Sequence, residues 1–487
     1  MIVRRTNIVI RPNAARVLFR PFNQIDEARV VRIFARVMSQ QDDQVTQLLE
    51  HVMHEFRGRH HRLQQFFLLR FEQMRRFMVS DLPLTEERRM LIGSYFTQEY
   101  SVESAALFNP SLVWHPDQSN LAEGSRRFVL SLRSTGEGHI SSITFRSGVI
   151  DGNSEIALDP VTPFVTTPET VPDPFYDKFL FERTLFELGT ADAFSQRVLG
   201  RLGDSFNMKE LRAAVRGVEV EYRTQSKSLP PATARSILAL AEANYEVIYE
   251  PMHQMSERII FPNSPTESNG VEDARFVQFT EDDGQTKYLA TYTAYDGRVT
   301  FPQILETTDF LRFKISTMNG PQVQNKGMAL FPRKINGRYA MLSRQDGENI
   351  FLMYSEDLHF WLTRETLLKP TYGWEFVQLG NCGSPIETEA GWLVLSHGVG
   401  PMRKYSIGAF LLDINDPSRV IGRLREPLLS PEHTEREGYV PNVVYSCGGQ
   451  IHGKDLIIPY AMSDWASTFA LVNVEALLSA LKANPMG

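Results

Sequence analysis

Apolar residues recur at helical spacing from Asn23 to Phe77: Val30, Ile33, Phe34 and Val37, then Val45, Leu48, Leu49, Val52 and Met53, with Asp and Gln breaking the run near residue 42. The pattern predicts two or three helices. A further helix is predicted after Leu84, where Thr85 stands as an N-cap before an amphipathic run from Arg88 to Phe96. Beyond Phe108-Asn109-Pro110 the period shortens to that of strands, at Ser111 to Trp114, Arg127 to Arg133 and Ile140 to Arg146, with turns supplied by Gly136, Gly138 and Gly148.

A proline-rich stretch (Pro160, Pro163, Pro168, Pro172, Pro174) then leads into a second helical region, from about Phe175 to Glu250, which reads as an insertion into the β domain. From Ile259 to Val472 short strands return at close intervals, as in a sandwich, barrel or propeller. Three segments share the order strand, Gly turn, strand, Asp: Tyr288–Asp309, Tyr339–Asp357 and Trp392–Asp413. This internal repetition favours a propeller. The expected division is a helical N-terminal extension over 1–105 and a β domain over 106–487, with the helical insertion at about 150–250.

Composition narrows the function. At 487 residues with 42% apolar and 11% aromatic residues the chain is globular, and its net charge of −7 gives nucleic acid no general attraction. Charge is unevenly spread, however: residues 1–100 hold 16 Arg, no Lys and 11 acidic residues, a net of +5 against −12 in the remainder. A basic helical arm of this kind binds nucleic acid or anionic lipid, or docks on an acidic body or a neighbouring subunit; docking is the expectation, with no nucleic-acid or membrane partner. Cys382 and Cys447 alone make no disulfide framework and fit a reducing cytoplasm, and no stretch has the ~20 apolar residues that span a bilayer.

Candidate chemistry lies in short glycine-flanked segments. Glu272-Asp273-Ala274-Arg275 opens a strand, so alternation would place Asp273 and Arg275 on one face and Glu272 on the other. Such a pair either holds a substrate hydroxyl and works as acid or base, or is a structural ion pair. Lys326, Arg333, Lys334 and Arg344 each read singly as solvated surface; together they suit an oxyanion such as phosphate. His397, in Ser-His-Gly at the end of a β run, faces either a cavity or a structural hydrogen bond. Glu387, Glu389, Glu435 and Glu437 border Gly, Pro or aromatic residues, as loop carboxylates that meet sugars do. Trp374, Trp392, Tyr405, Tyr439 and Tyr460 are either stacking platforms or core. A metal set, a nucleophile elbow, a P-loop and a dinucleotide fingerprint are all missing from the sequence. Carboxylates, an Arg and aromatic rings converging from loops suggest a carbohydrate ligand.

Several of these segments together resemble glycoside hydrolase family 130, the inverting mannoside phosphorylases and β-mannosidases. The resemblance rests on Phe108-Asn-Pro, Leu132-Arg133, Glu272-Asp-Ala-Arg275, Lys326 with the Leu330 to Tyr339 segment and Arg344, Pro385 to Trp392, His397-Gly-Val, Leu411 to Pro417 and Val440 to Val444. It implies a five-bladed β-propeller. It also implies Asp273 as the general acid, protonating the glycosidic oxygen through a mannose hydroxyl while phosphate attacks the anomeric carbon, so that mannose 1-phosphate forms. Arg133, Lys326, Arg344 and His397 fall at or near the phosphate positions, and Asn109, Arg275, Glu387, Tyr439 and Asp464 are the implied substrate contacts. The family's hydrolases use a carboxylate to activate water instead, for which Glu387, Glu435 and Glu437 are the candidates. Inorganic phosphate is then a co-substrate and no cofactor or metal is expected. A non-catalytic glycan-binding propeller is the competing class, and the helical regions suit a homo-oligomer. Two departures stand out: the helical additions lie outside the compact family plan, and the motif reads Glu-Asp-Ala-Arg where Glu-Asp-Pro-Arg is frequent.

Overall fold

The computed structural model describes residues 3–23, 26–171, 175–187, 189–226 and 232–484. Pro172, Pro174 and residues 227–231 of the expected helical insertion lie outside the described residues.

The dominant motif is an antiparallel sheet whose strands follow one another in sequence. Among the described residues, five such sheets, of four or more strands each, succeed one another in sequence. The first is built on Ala106–Trp114, Arg126–Thr135 and Ser141–Ile150; the second starts at Val271–Thr280, the third at Ala329–Leu330, the fourth at Gln378–Asn381 and the fifth at Val444–Tyr445. Each sheet packs on the next, and the fifth returns to the first through Asp455–Met462 against Ala106–Trp114. A separate buried cluster fills each seam. Phe145 meets Phe276 and Tyr288 between the first and second sheets, and Leu289 meets Met341 and Met353 between the second and third. Leu352 meets Trp392 and Phe410 in the next seam, Leu411 meets Leu456 and Ile458 after it, and Phe128 meets Phe469 in the last. Strands buried on both faces explain why the sequence shows near-continuous apolar runs such as Trp392 to Leu395.

The three repeated sequence segments are the second and third strands of the second, third and fourth sheets. Their closing aspartates do one job: Asp309, Asp357 and Asp413 each accept a backbone N–H from two residues downstream, at Leu311, His359 and Asn415, and so start the outer-strand connection.

The N-terminal segment holds four helices, α1 (Glu27–Met38), α2 (Asp42–Phe56), α3 (Leu63–Met74) and α4 (Glu86–Tyr95), with Thr85 capping α4 by accepting from the Arg88 N–H. It is more than a helical addition. Val3–Arg5 forms the outermost strand of the fifth sheet, pairing Val3 with Val472. Arg62 bonds Glu169 and Glu250, and His61 approaches Glu257 at 3.4 Å, so basic helix-side residues meet acidic ones of the body.

The stretch expected as helical from Phe175 to Glu250 contains α5 (Lys178–Glu187), α6 (Ala193–Leu199), α7 (Met208–Ser226) and α8 (Ala232–Glu242) around their own core of Phe181, Phe194, Phe206 and Leu211. Its ends differ from the expectation. Phe175–Asp177 pairs with Ser205–Asn207, and Tyr245–Ile248 joins the second sheet beside Arg312–Thr317. Tyr245 and Val247 alternate inward there, and an open sheet edge supplied hydrogen bonds that a last helical turn would have had to find in water.

Candidate active site

Two bulges build the centre of the site. The pairing of Val271–Thr280 slips between Glu272 and Arg275, and that of Ala106–Trp114 slips between Phe108 and Ser111. Each bulge holds a residue in the left-handed region, Asp273 at φ 55° and Asn109 at φ 51°. Asn and Asp tolerate this conformation better than other side chains, and bulges re-aim side chains beside functional sites. Here they bring Asn109 Nδ2 to donate to Asp273 Oδ1 at 2.7 Å.

The bulge corrects the alternation argument. Asp273 and Arg275 do not form a side-chain pair: Arg275 donates to the Asp273 backbone carbonyl, the Cys382 carbonyl and the Tyr445 hydroxyl. Glu272, expected on the other face, belongs to the same group as Asp273. Arg133 donates to Glu272 Oε1 at 2.8 Å and lies 3.6 Å from Asp273 Oδ1, with its guanidinium 5.0 Å from the Phe108 ring centre. Lys326 Nζ approaches Glu272 Oε2 at 3.6 Å.

A second cationic centre sits deeper. Arg344 is 7% exposed, its Nε has no hydrogen-bond partner, and among the described residues no carboxylate stands within ion-pair distance of it. Its Nη1 lies 3.5 Å from His397 Nε2. Two glycines make this possible. A Cβ on Gly327, at φ 92°, would collide with Arg344 Nε, and one on Gly380 would collide with the His397 ring. His397 is fully buried, between Tyr405 and Tyr445, with Gln378 Nε2 at 3.3 Å. The amide of buried Asn381 and Oδ1 of Asn109 are likewise unpartnered. Buried polar groups are nearly always satisfied, so a cluster of orphans at one place marks room for a polar ligand.

The fields follow from this arrangement. Burial pushes the Asp273 carboxyl up, but Arg133, Arg275 and Lys326 together with the Asn109 amide outweigh it and hold the group at about 2. Asp464, at φ 51° in the turn after Asp455–Met462, moves the other way: burial and then the Asp273 charge push it up to about 6. Burial, then Arg344 and Arg275, hold His397 well below the ordinary histidine value, so it enters as a neutral imidazole that donates or accepts but carries no charge. Tyr445 is raised by burial and stays a phenol.

Asp273, Asn109, Arg133, Lys326, Arg344, His397, Arg275 and Asp464 therefore share one end of the sheet assembly. Tyr439 is on its rim: Val440 donates to the Ser463 carbonyl beside Asp464, and the Tyr439 hydroxyl lies 3.0 Å from His139 Nδ1. Glu437 is exposed on the same loop. The structure does not bring Glu387 or Glu435 to the group. Glu387 takes both arms of Arg333, at 2.7 and 2.9 Å, and borders a cavity beside Val277 and Gln278, farther along the strand that carries Asp273. Glu435 is 4% exposed and accepts from Tyr460 at 2.5 Å and Arg5 at 3.1 Å, a latch for the N-terminal strand. Glu272, Tyr445 and Gln378 were missed among the site residues. Glu272 stood inside the motif, whereas Tyr445 and Gln378 carry no local signal and join only because separate sheets meet here.

Residues 209–483 match the family model of glycoside hydrolase family 130, described as β-1,4-mannooligosaccharide phosphorylase. The chain belongs to this family. It is 34% identical over 230 residues to a 1,2-β-oligomannan phosphorylase of Thermoanaerobacter sp. (strain X514), an alignment spanning 46% of this chain and 74% of that protein. It is 30% identical over 230 residues to a β-1,2-mannobiose phosphorylase of Listeria innocua serovar 6a, spanning 46% of this chain and 63% of that one. The solved Listeria innocua β-1,2-mannobiose phosphorylase in complex with β-1,2-mannobiose aligns with 79% of this chain and 94% of its own at 21% identity and a TM-score of 0.47.

Proposed function

We propose that this chain is an inverting β-mannoside phosphorylase on a five-bladed β-propeller, each of the five sheets being a blade and Asp273 the general acid at one end of the central channel. The observation that carries the phosphorolytic reading is Arg344: a buried guanidinium without a carboxylate partner, beside a neutral imidazole. A buried cation left unpaired is costly, and an oxyanion held by Arg344, His397 and Lys326 supplies the missing charge and hydrogen bonds. Of the three carboxylates that could activate water, Glu387 and Glu435 are engaged in ion pairs elsewhere, and Glu437 is exposed on the rim loop.

In the reaction a phosphate oxygen attacks the anomeric carbon as the bond to the glycosidic oxygen breaks. That oxygen leaves with a proton from Asp273, relayed by a mannose hydroxyl. The surrounding cations hold Asp273 ionised; a phosphate dianion neutralises them, which raises its proton affinity when the nucleophile arrives. Asn109 orients the acid, and Asp464 accepts from sugar hydroxyls. The test is product analysis on β-1,2- and β-1,4-mannobiose with and without inorganic phosphate. Mannose 1-phosphate, formed only with phosphate, is expected; free mannose at the same rate in both conditions refutes the proposal.

A further inference from the structure

A cavity of about 830 Å³ separates the helical insertion from the second sheet. Its walls are α5 and α8 on one side, and on the other the 296–300 turn and the loop from Thr317 to Asn325. Register puts it at the Asp273 end of the sheets. Val271 pairs with Ala294 and Glu272 with Thr293, so the turn at Asp296 lies just beyond the end of the strand that carries Asp273. The far loop runs out at Asn325, next to Lys326, whose ammonium faces Glu272. Asn269, three residues before Glu272, donates its backbone N–H to the Tyr295 carbonyl and packs against Gly297 of the turn.

The lining selects a chemistry. Ser236 from the insertion and Thr300 opposite offer hydroxyls, while the Thr190 hydroxyl and the Gln324 amide nitrogen donate to the Leu185 and Pro321 carbonyls and offer their oxygens as acceptors. Val299, 51% exposed, and Phe301 offer apolar surface. Asp296 is the one ionisable side chain among the lining residues, and one of its oxygens is held by the N–H groups of Arg298 and Val299. A wall of hydroxyls, amides and apolar patches without a cation suits a neutral sugar chain and offers nothing to a phosphorylated one; the volume is in the range that holds whole ligands. Thr184 and Thr190 lie before residue 209, where the family match starts, whereas Ser236, Ala239 and Leu240 of the same wall lie within it.

We propose that the cavity is a distal subsite for the mannoside chain beyond the cleaved linkage, and that it makes this enzyme prefer oligosaccharides to disaccharides. The proposal rests on the mannoside reading above. It is tested with β-1,2- and β-1,4-linked mannosides from dimer to pentamer, by steady-state phosphorolysis and by equilibrium binding of the same sugars. Wild type should gain about tenfold in kcat/KM and in affinity between dimer and tetramer, the worth of one or two added contacts. Ala239→Trp, which fills the cavity from α8, should abolish that gain and leave the dimer unchanged. Val299→Ser, at an exposed turn position that keeps its backbone hydrogen bond, should reduce it. A wild type indifferent to chain length, or an Ala239→Trp variant that loses dimer and tetramer activity by the same factor while Val299→Ser changes nothing, overturns the subsite. Tighter binding of long chains that depends on Ala239, with no turnover of any length, would uphold the subsite and overturn phosphorolysis.

Discussion

Replacing Asp464 by Asn removes one of two carboxylates that face each other across the site without removing its shape. Burial and the neighbouring Asp273 raise Asp464 from 3.8 to about 6. A carboxyl whose folded pKa is raised holds its proton more tightly folded than unfolded. Its stabilising effect is therefore complete below the unfolded value and is lost as pH rises through about 6. The difference amounts to about 3 kcal/mol, or about 2 kcal/mol once solvent screening of this half-buried group is counted. Asp464→Asn does not titrate and should gain that much over wild type between about pH 4 and pH 7, with a constant difference above. Urea unfolding of both proteins across this range measures it. Asp273, depressed in both proteins, loses its own contribution at lower pH and largely cancels in the comparison. Stability curves that run parallel from pH 4 to pH 7 would refute the reasoning, because they would mean that Asp464 ionises as freely folded as unfolded.

Two other substitutions probe the same architecture. Arg344→Gln keeps a polar group but removes the buried charge, and should raise the KM for phosphate by about tenfold to a hundredfold, the worth of a charge-assisted hydrogen bond; an unchanged phosphate KM would move the anion site elsewhere. Glu435→Gln leaves Arg5 without its buried partner, though Glu432 remains 2.6 Å away, and should cost about 2 kcal/mol in unfolding stability. Loss of activity without loss of stability in this variant would restore Glu435 as a candidate base.

The two helical additions and the strand-rich remainder were legible in the chain because their periods differ, and the Asp that closes each repeat marked where the third strand of the second, third and fourth sheets ends. Thr85 announced α4 for a local reason, since an N-cap needs only the next turn. The candidate site was legible as a set of polar residues flanked by glycine. Gly327 and Gly380 show why: a side chain there would occupy the space of Arg344 or His397.

The partnerships were not legible. Alternation predicted an Asp273–Arg275 face, but the bulge turns Asp273 toward Asn109 of another sheet, and hydrogen bonds between distant strands decide a bulge. Val3–Arg5 carries too few residues to declare itself a strand, and it is one only because Ala466–Asn473 offers an unpaired edge. Glu387 and Glu435 resemble Asp273 in sequence, as acidic residues among Gly, Pro and aromatic neighbours. The fold assigns the first to Arg333, the second to Arg5 and Tyr460, and only the third to the site. The sequence by itself determined the element types, the repeat and the inventory of charges, because periodicity and turn chemistry act over a few residues. Which charge meets which, and hence which carboxylate loses its proton and which keeps it, was decided by the tertiary structure, since electrostatic coupling depends on distance and burial between residues far apart in the chain.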